Sequence, residues 1–215
     1  MLSEVGNNRK STSSREKTIF QQIKAYFALI SGKGAPTAKD EWEKQYLSGN
    51  WSYMHDLQEV GRYSVIAGYF RHLKPGGSIL DVGCGEGILQ ERLGEQSYSR
   101  YVGIDMSAMA IEKAKIRKSE KTLFIEADAE KYSLSESFDT IVFNEILCYI
   151  PNPVSLLKQY ESFLSKDGIY IISMFKDFRN PMIWRRLAKL YSVLDEVKVL
   201  NKKGESWICR VVRPS

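Results

Sequence analysis

Residues 79–87 read ILDVGCGEG, an apolar run closed by an aspartate and then three glycines at alternate positions. Gly83, Gly85 and Gly87 carry no β-carbon, so a ligand can lie directly against the backbone there. A helix starting at Gly87 would aim its free N–H groups at an anionic part of that ligand. Asp81 stands at the edge of the turn, where a carboxylate can accept hydrogen bonds from an ammonium. Two more acids recur in comparable settings, Asp105 in YVGIDMS and Asp128 in FIEADAE. A fourth, Glu145, follows Asn144 in FDTIVFNEILCYI, with Tyr149 one helical turn on. Acids that end successive parallel strands gather along one edge of a sheet, which is where open parallel sheets bind ligands.

Three ligand classes use such a turn. A nucleoside triphosphate needs Gly-x4-Gly-Lys-Ser/Thr, and no lysine follows these glycines. A dinucleotide needs Gly-x-Gly-x-x-Gly, but position 88 is isoleucine and the third glycine falls one place early, at Gly87. S-adenosylmethionine carries an amino-acid head group, a ribose and an adenine. Its ammonium suits Asp81, its ribose hydroxyls suit Asp105, and its adenine amino group suits Asp128. The competing reading is that Asp105 and Asp128 merely cap the helices that follow them. Three acids after three successive strands, at a spacing that fits one extended ligand, favour the ligand.

The elements that would position these groups follow from periodicity. Residues 1–36 comprise a polar tail and a helix, with capping-box spacing at Ser13 and Glu16 and apolar residues from Ile19 to Ile30. That helix either packs on its own domain or pairs two copies as a homodimer. Residues 37–77 form a helical lid, with helices over 38–47 and 55–73. The second of these places Leu57, Val60, Tyr63, Ile66 and Phe70 on one face. From residue 78 strands and helices alternate. Strands are predicted at 78–82, 101–104, 122–125, 140–144 and 169–174, and helices at 87–93, 108–117, 154–164 and 184–191. SKDG is a turn before the fifth strand, and a hairpin of strands 193–200 and 206–212 flanks NKKG. The class is therefore α/β, a mostly parallel sheet with helices on both faces and one antiparallel strand from the hairpin.

From about Trp42 onward the chain resembles the class I S-adenosylmethionine-dependent methyltransferases. ILDVGCGEG resembles their first motif, GIDMS the acidic second, EADAE the adenine-side motif and FDTIVFNEILCYI the strand that faces the methyl group. The resemblance implies a Rossmann-like sheet of seven strands with the last antiparallel. It implies a cofactor set of Asp81, Gly83, Cys84, Gly85, Gly87, Asp105, Met106, Asp128, Ala129 and Asn144. Methyl transfer is an in-line displacement, so the protein mainly holds the acceptor in line. An oxygen or nitrogen acceptor must also lose a proton. Glu145 is the first candidate base, though it could equally bind the acceptor or cap a helix without proton chemistry. His55 is the second. In the family an aromatic N-terminal segment lids the site, which assigns Tyr46, Trp51, Tyr53, Arg62 and Tyr149 to lid or substrate. For each of these singly, core packing is at least as good an account.

Composition and missing motifs narrow the acceptor. The net charge is +5 and the pI about 9.0, with much of the excess after Phe175. That modest excess reads as a solvated face rather than a nucleic-acid surface. Cys84, Cys148 and Cys209 follow no metal or disulfide spacing, and no metal cluster is expected. No apolar run approaches a membrane span, and the N-terminus lacks a signal-peptide core, which suggests a cytoplasmic protein. The fourth strand ends in NEIL rather than the Pro-Pro-Tyr signature of DNA-amino methyltransferases, and no Pro-Cys nucleophile or paired-glutamate loop is present. FNEILCYIPNP, WEKQYLSGNWSYM and GRYSVIAGY are similar to bacterial enzymes of polysaccharide and glycolipid decoration. More distantly they resemble N-methyltransferases of amino-sugars in nodulation-signal synthesis. The resemblance implies methylation of an oxygen or nitrogen on a small molecule, a sugar or glycan precursor, and a basic C-terminal face would suit an anionic one. An RNA or ribosomal methyltransferase, revealed by a steep salt dependence, and a non-catalytic S-adenosylmethionine-binding subunit are the alternatives.

Overall fold

The computed structural model describes Gly34 and residues 37–133, 135–177 and 180–215. The helix expected between Ser13 and Ile30 lies outside the described residues, and with it the proposed dimer contact. Helices α1 (Lys39–Leu47) and α2 (Leu57–Leu73) precede β1 (Ser78–Val82), α3 (Ile88–Leu93), β2 (Arg100–Asp105), α4 (Ala108–Ala114) and β3 (Thr122–Glu126). Then come β4 (Phe138–Asn144), α5 (Pro153–Tyr160), β5 (Leu164–Phe175), α6 (Asn180–Leu187), β6 (Tyr191–Leu200) and β7 (Ser206–Pro214). The seven strands form one sheet in the order β3-β2-β1-β4-β5-β7-β6. The first five run parallel, and β7 is antiparallel to both of its neighbours. The chain order reverses between β1 and β4, and that switch point opens a crevice at the strands' carboxyl ends.

Side-chain alternation builds two cores. On one face Ile79, Val142, Ile171 and Val211 pack with Tyr63, Ile66 and Phe70 of α2 and Ile111 of α4. On the other Leu80, Val82, Ile141, Phe143 and Ile172 pack with Leu156, Leu157 and Tyr160 of α5 and Trp184 of α6. Strands covered on both faces read as continuous apolar runs, which is why ILDV and TIVF are so uniform. Ile66 and Phe70 are 1% exposed. Burial of each is worth about 1.5–3 kcal/mol, so α2 is part of the sheet's core and a rigid support for Arg62.

Several expected boundaries move. Leu57 is the first residue of α2 and is 82% exposed rather than on the buried face. That face continues instead through Glu59 and Arg62, because the end of α2 reaches beyond the apolar core to the crevice. SKDG is not a turn. It lies inside β5, where the β4–β5 register shifts between Phe138 and Thr140 and the extra residues form a bulge. Tyr191 is the first residue of β6 rather than the end of a helix, and α6 spans Asn180–Leu187. No helix among the described residues is long and apolar enough to cross a membrane.

Candidate active site

At the carboxyl edge of the sheet lies a cavity of about 470 Å³, with a recess of about 60 Å³ beside the glycine turn. Cavities of this size are typical of small-molecule sites. Asp105, Met106, Asp128 and Ala129 line the cavity on the β2–β3 side, and Asn144, Glu145 and Tyr149 on the β4 side. Tyr46, Trp51, Tyr53 and Arg62 cover it from the N-terminal segment, while Asp81, Gly83, Cys84 and Gly85 line the recess. Gly87 and His55 line neither. Gly87 has φ +79 and sits under Phe124, so its need for glycine is conformational and steric. His55 is exposed and pairs with Glu86 Oε2 at 3.1 Å, and the same carboxylate takes Lys113 Nζ at 2.7 Å.

The acids on the β2–β3 side are held in different ways. Asp105 accepts from Gly85 N and Ser107 N, both at 2.9 Å, and so ties the glycine turn to the end of β2. Burial pushes its carboxyl up to about 6 against those hydrogen bonds. It is not the principal cap of α4. Ser107 accepts from Ala110 N, and Glu43 of α1 accepts from Ala108 N at 2.7 Å, from Met109 N and from Ser107 Oγ. Glu43 thereby latches α1 to the core, a contact across more than 60 residues of chain with no local signal in the sequence. Asp128 accepts from Glu130 N and pairs with Lys131 at 2.9 Å. Burial works against its charged form, but Lys131 and Glu130 N hold its carboxyl below the ordinary value.

Arg62 lines both the recess and the main cavity and is their central cation. Its guanidinium is 1% exposed, donates to Glu59 Oε2 at 2.7 Å and to Asn144 Oδ1, and lies over the ring of Tyr63. Glu145 has φ +62, the one non-glycine residue among those described with a positive φ. Such a backbone costs on the order of 1–3 kcal/mol and is held only where surrounding contacts enforce it. Here Ser173 Oγ donates to Oε1 at 2.8 Å and Phe175 N to Oε2 at 2.7 Å. Burial raises its carboxyl above the ordinary value, opposed by Arg62. Above the cavity Trp42 stacks on Trp51 at 5.5 Å and meets Tyr149 edge-on at 4.9 Å, while Tyr46 sits on the glycine turn with its hydroxyl against Gly85.

Residues 73–211 match the methyltransferase domain family. The chain belongs to that family. Its seven strands, with the last antiparallel to its neighbours, have the arrangement implied by the resemblance to the class I S-adenosylmethionine-dependent methyltransferases. The methyltransferase is 29% identical over 148 residues to the ribosomal protein L11 methyltransferase of Thermotoga maritima, covering 67% of this chain and 53% of that one. It is 28% identical over 175 residues to the ubiquinone biosynthesis O-methyltransferase of Neisseria meningitidis serogroup C, covering 77% and 68%. It thus spans about half of the first relative's length and just over two-thirds of the second's. Among solved structures it is similar to the N-methyltransferase NodS of Bradyrhizobium japonicum in complex with S-adenosylhomocysteine, with TM-score 0.72 and 18% identity over 82% of this chain and 98% of that one.

The expectation of an anionic acceptor held by basic C-terminal residues meets an acidic site instead. Among the described residues the cavity is lined by seven carboxylates, Glu59, Asp105, Asp128, Glu130, Glu145, Asp177 and Glu205, against the single guanidinium of Arg62. Lys176, Arg185, Arg186, Lys189, Lys198, Lys202, Lys203, Arg210 and Arg213 do not line it. Arg210 is engaged with Glu196 and the face of Trp184.

Proposed function

We propose that this methyltransferase uses S-adenosylmethionine to methylate an oxygen or nitrogen of a small molecule, a sugar or a precursor of similar size. The observation that carries the cofactor assignment is a set of three buried, unpartnered polar atoms around the recess: Asp81 Oδ1, Arg62 Nε and Trp51 Nε1. Burying such atoms without partners costs about 1–3 kcal/mol each, so they call for a ligand with matching groups. One acceptor and two donors match the ammonium and the carboxylate of an amino acid. Asp105 and Asp128, across β2 and β3, supply acceptors for ribose hydroxyls and an adenine amino group.

When bound, S-adenosylmethionine supplies a methyl carbon made electrophilic by its sulfonium. The chain's own residues do the rest. The glycine turn gives bare backbone. Tyr46 and Trp51 close the site against water. The rings of Tyr53, Tyr149, Phe175 and Trp207 offer stacking surfaces to an acceptor ring, and Glu145 stands at the end of β4 as the nearby base.

Asp105→Ala is expected to weaken S-adenosylhomocysteine binding by about 1.5–3 kcal/mol, the scale of charge-assisted hydrogen bonds. Calorimetry showing unchanged affinity would remove the ribose role. The acceptor class is tested with methyl-labelled S-adenosylmethionine and a bacterial extract divided by size. Label in the small-molecule or glycan fraction, insensitive to nuclease and protease, supports the proposal. Label lost with nuclease, or with protease as the L11 relatives' acceptor would be, overturns it.

A further inference from the structure

The acceptor half of the cavity has a chemistry of its own. Cofactor groups are assigned to the β1–β2–β3 side, so the acceptor must approach from the β4–β5–β7 side. There the described lining is built from rings and hydrogen-bond acceptors. Tyr53, Tyr149, Phe175 and Trp207 contribute rings to the lining; Phe175 and Trp207 meet edge-to-face at 5.6 Å, and the Arg62 guanidinium lies 5.8 Å from the Trp207 centroid. Glu145 and Glu205 present carboxylates. Asn180 is 2% exposed and donates through Nδ2 to Phe175 O at 2.6 Å, while its Oδ1 is buried on the cavity with no partner. The cation nearest this side, Arg62, is already engaged by Glu59 and Asn144, and its Nε is assigned above to the cofactor's head group.

Resting on the methyl-transfer reading above, we propose that the acceptor is a small organic amine, bound as its ammonium between the aromatic rings and the Glu145, Asn180 and Glu205 acceptors. Aromatic faces attract a desolvated cation, and an unpartnered buried oxygen is satisfied by an N–H donor. A carboxylate or phosphate here would meet like charge. A single hydroxyl brings one donor where the site holds three acceptors, and a polyol brings more donors but no positive charge for the carboxylates and rings.

The same arrangement accounts for the proton. An ammonium has no lone pair, so one N–H proton must pass to the Glu145 carboxylate, which becomes the neutral acid. Burial of Glu145, which raises its affinity for a proton, suits it to this step. The freed lone pair forms the N–CH3 bond as the donor's S–CH3 bond breaks with its electrons left on sulfur. The product nitrogen keeps its positive charge, and one proton leaves by way of Glu145.

Three of the four tryptophans, Trp42, Trp51 and Trp207, line the cavity, so intrinsic fluorescence reports its occupancy. The full chain would first be titrated with S-adenosylhomocysteine by calorimetry. Held saturated, it would then be titrated with 2-phenylethylamine, 2-phenylethanol and 3-phenylpropanoate. The amine is expected to quench saturably and to bind about tenfold more tightly than either analogue, the scale of one buried cation–π contact. Glu205→Gln, which keeps the shape and removes the charge, is expected to narrow that preference without changing S-adenosylhomocysteine affinity. Equal or tighter binding of the alcohol or the carboxylate, or no saturable quenching by the amine at millimolar concentration, overturns the inference and leaves the methyl-transfer reading standing. Failure of S-adenosylhomocysteine to bind overturns that reading, and the inference with it.

Discussion

Arg62→Met is expected to destabilise the protein by about 3–5 kcal/mol, the range seen when one member of a buried ion pair is removed. Glu59 is 4% exposed, and Arg62 is its ion-pair partner at 2.7 Å. Without the guanidinium that carboxylate would stay buried with no countercharge, and Asn144 Oδ1 would lose its donor. The double variant Glu59→Gln, Arg62→Met removes both charges. It is expected to recover much of the lost stability in urea melts, because replacing both members of a buried pair is far less costly than orphaning one. A double variant no more stable than the single one would place the cost in lost packing against Tyr63 and Trp207 instead. The two variants also separate stability from binding. Arg62 Nε and Nη groups are absent from both, so S-adenosylhomocysteine affinity is expected to stay weak in the double variant even as its fold recovers. Recovered affinity would remove Arg62 from the recess's ligand-binding set.

The contrast between Asp105 and Arg62 shows what a single sequence reveals. Asp105 was legible because parallel strands deliver their ends to one edge, so a motif that ends a strand fixes its own position. The same rule located Asp81, Asp128, Asn144 and Glu145. Arg62 was named only as a lid residue, because nothing local says that a charged side chain in RYSVIAGYF is fully buried where α2 meets the crevice. Its burial depends on Glu59 one turn before it and on Asn144, which is 82 residues away. Glu43 was missed for the same reason, since its partners are the amides of a helix formed much later in the chain. The β5 bulge was missed because SKDG carries turn chemistry, and only pairing with β4 draws it into a strand. The positive φ of Glu145 left no mark in the sequence. Neither did the acidity of the site, which runs against the chain's net positive charge: the basic residues after Phe175 lie elsewhere on the surface of the described structure.

Asp81→Asn is expected to act in opposite directions on stability and on binding. Burial pushes the Asp81 carboxyl up to about 7, with Asp105 adding to the shift and the Tyr101 hydroxyl opposing it. In the unfolded chain an aspartate titrates near ~3.9. The folded protein therefore holds a proton that the unfolded chain releases as pH rises from about 4. The stability this contributes is fully present below the unfolded value and is lost as pH rises through about 7. Asparagine cannot ionise, so the variant is expected to escape that loss. It should match the parent near pH 4 and exceed it by on the order of a few kcal/mol at pH 8. Asp105, pushed up to about 6, adds a decline of its own in both proteins, and its coupling to Asp81 disappears in the variant together with the Asp81 charge. Binding follows the other sign, because an ammonium needs the ionised carboxylate. Parent affinity for S-adenosylhomocysteine is expected to rise with pH through about 7, while the variant binds more weakly with a flatter profile. Chemical melts and calorimetry across pH 4–8 measure both. Coincident binding curves would show that Asp81 does not meet the head group. Opposed trends would show that the buried acid at the edge of the glycine turn destabilises the free protein to serve its ligand, as strained or desolvated groups in binding sites commonly do.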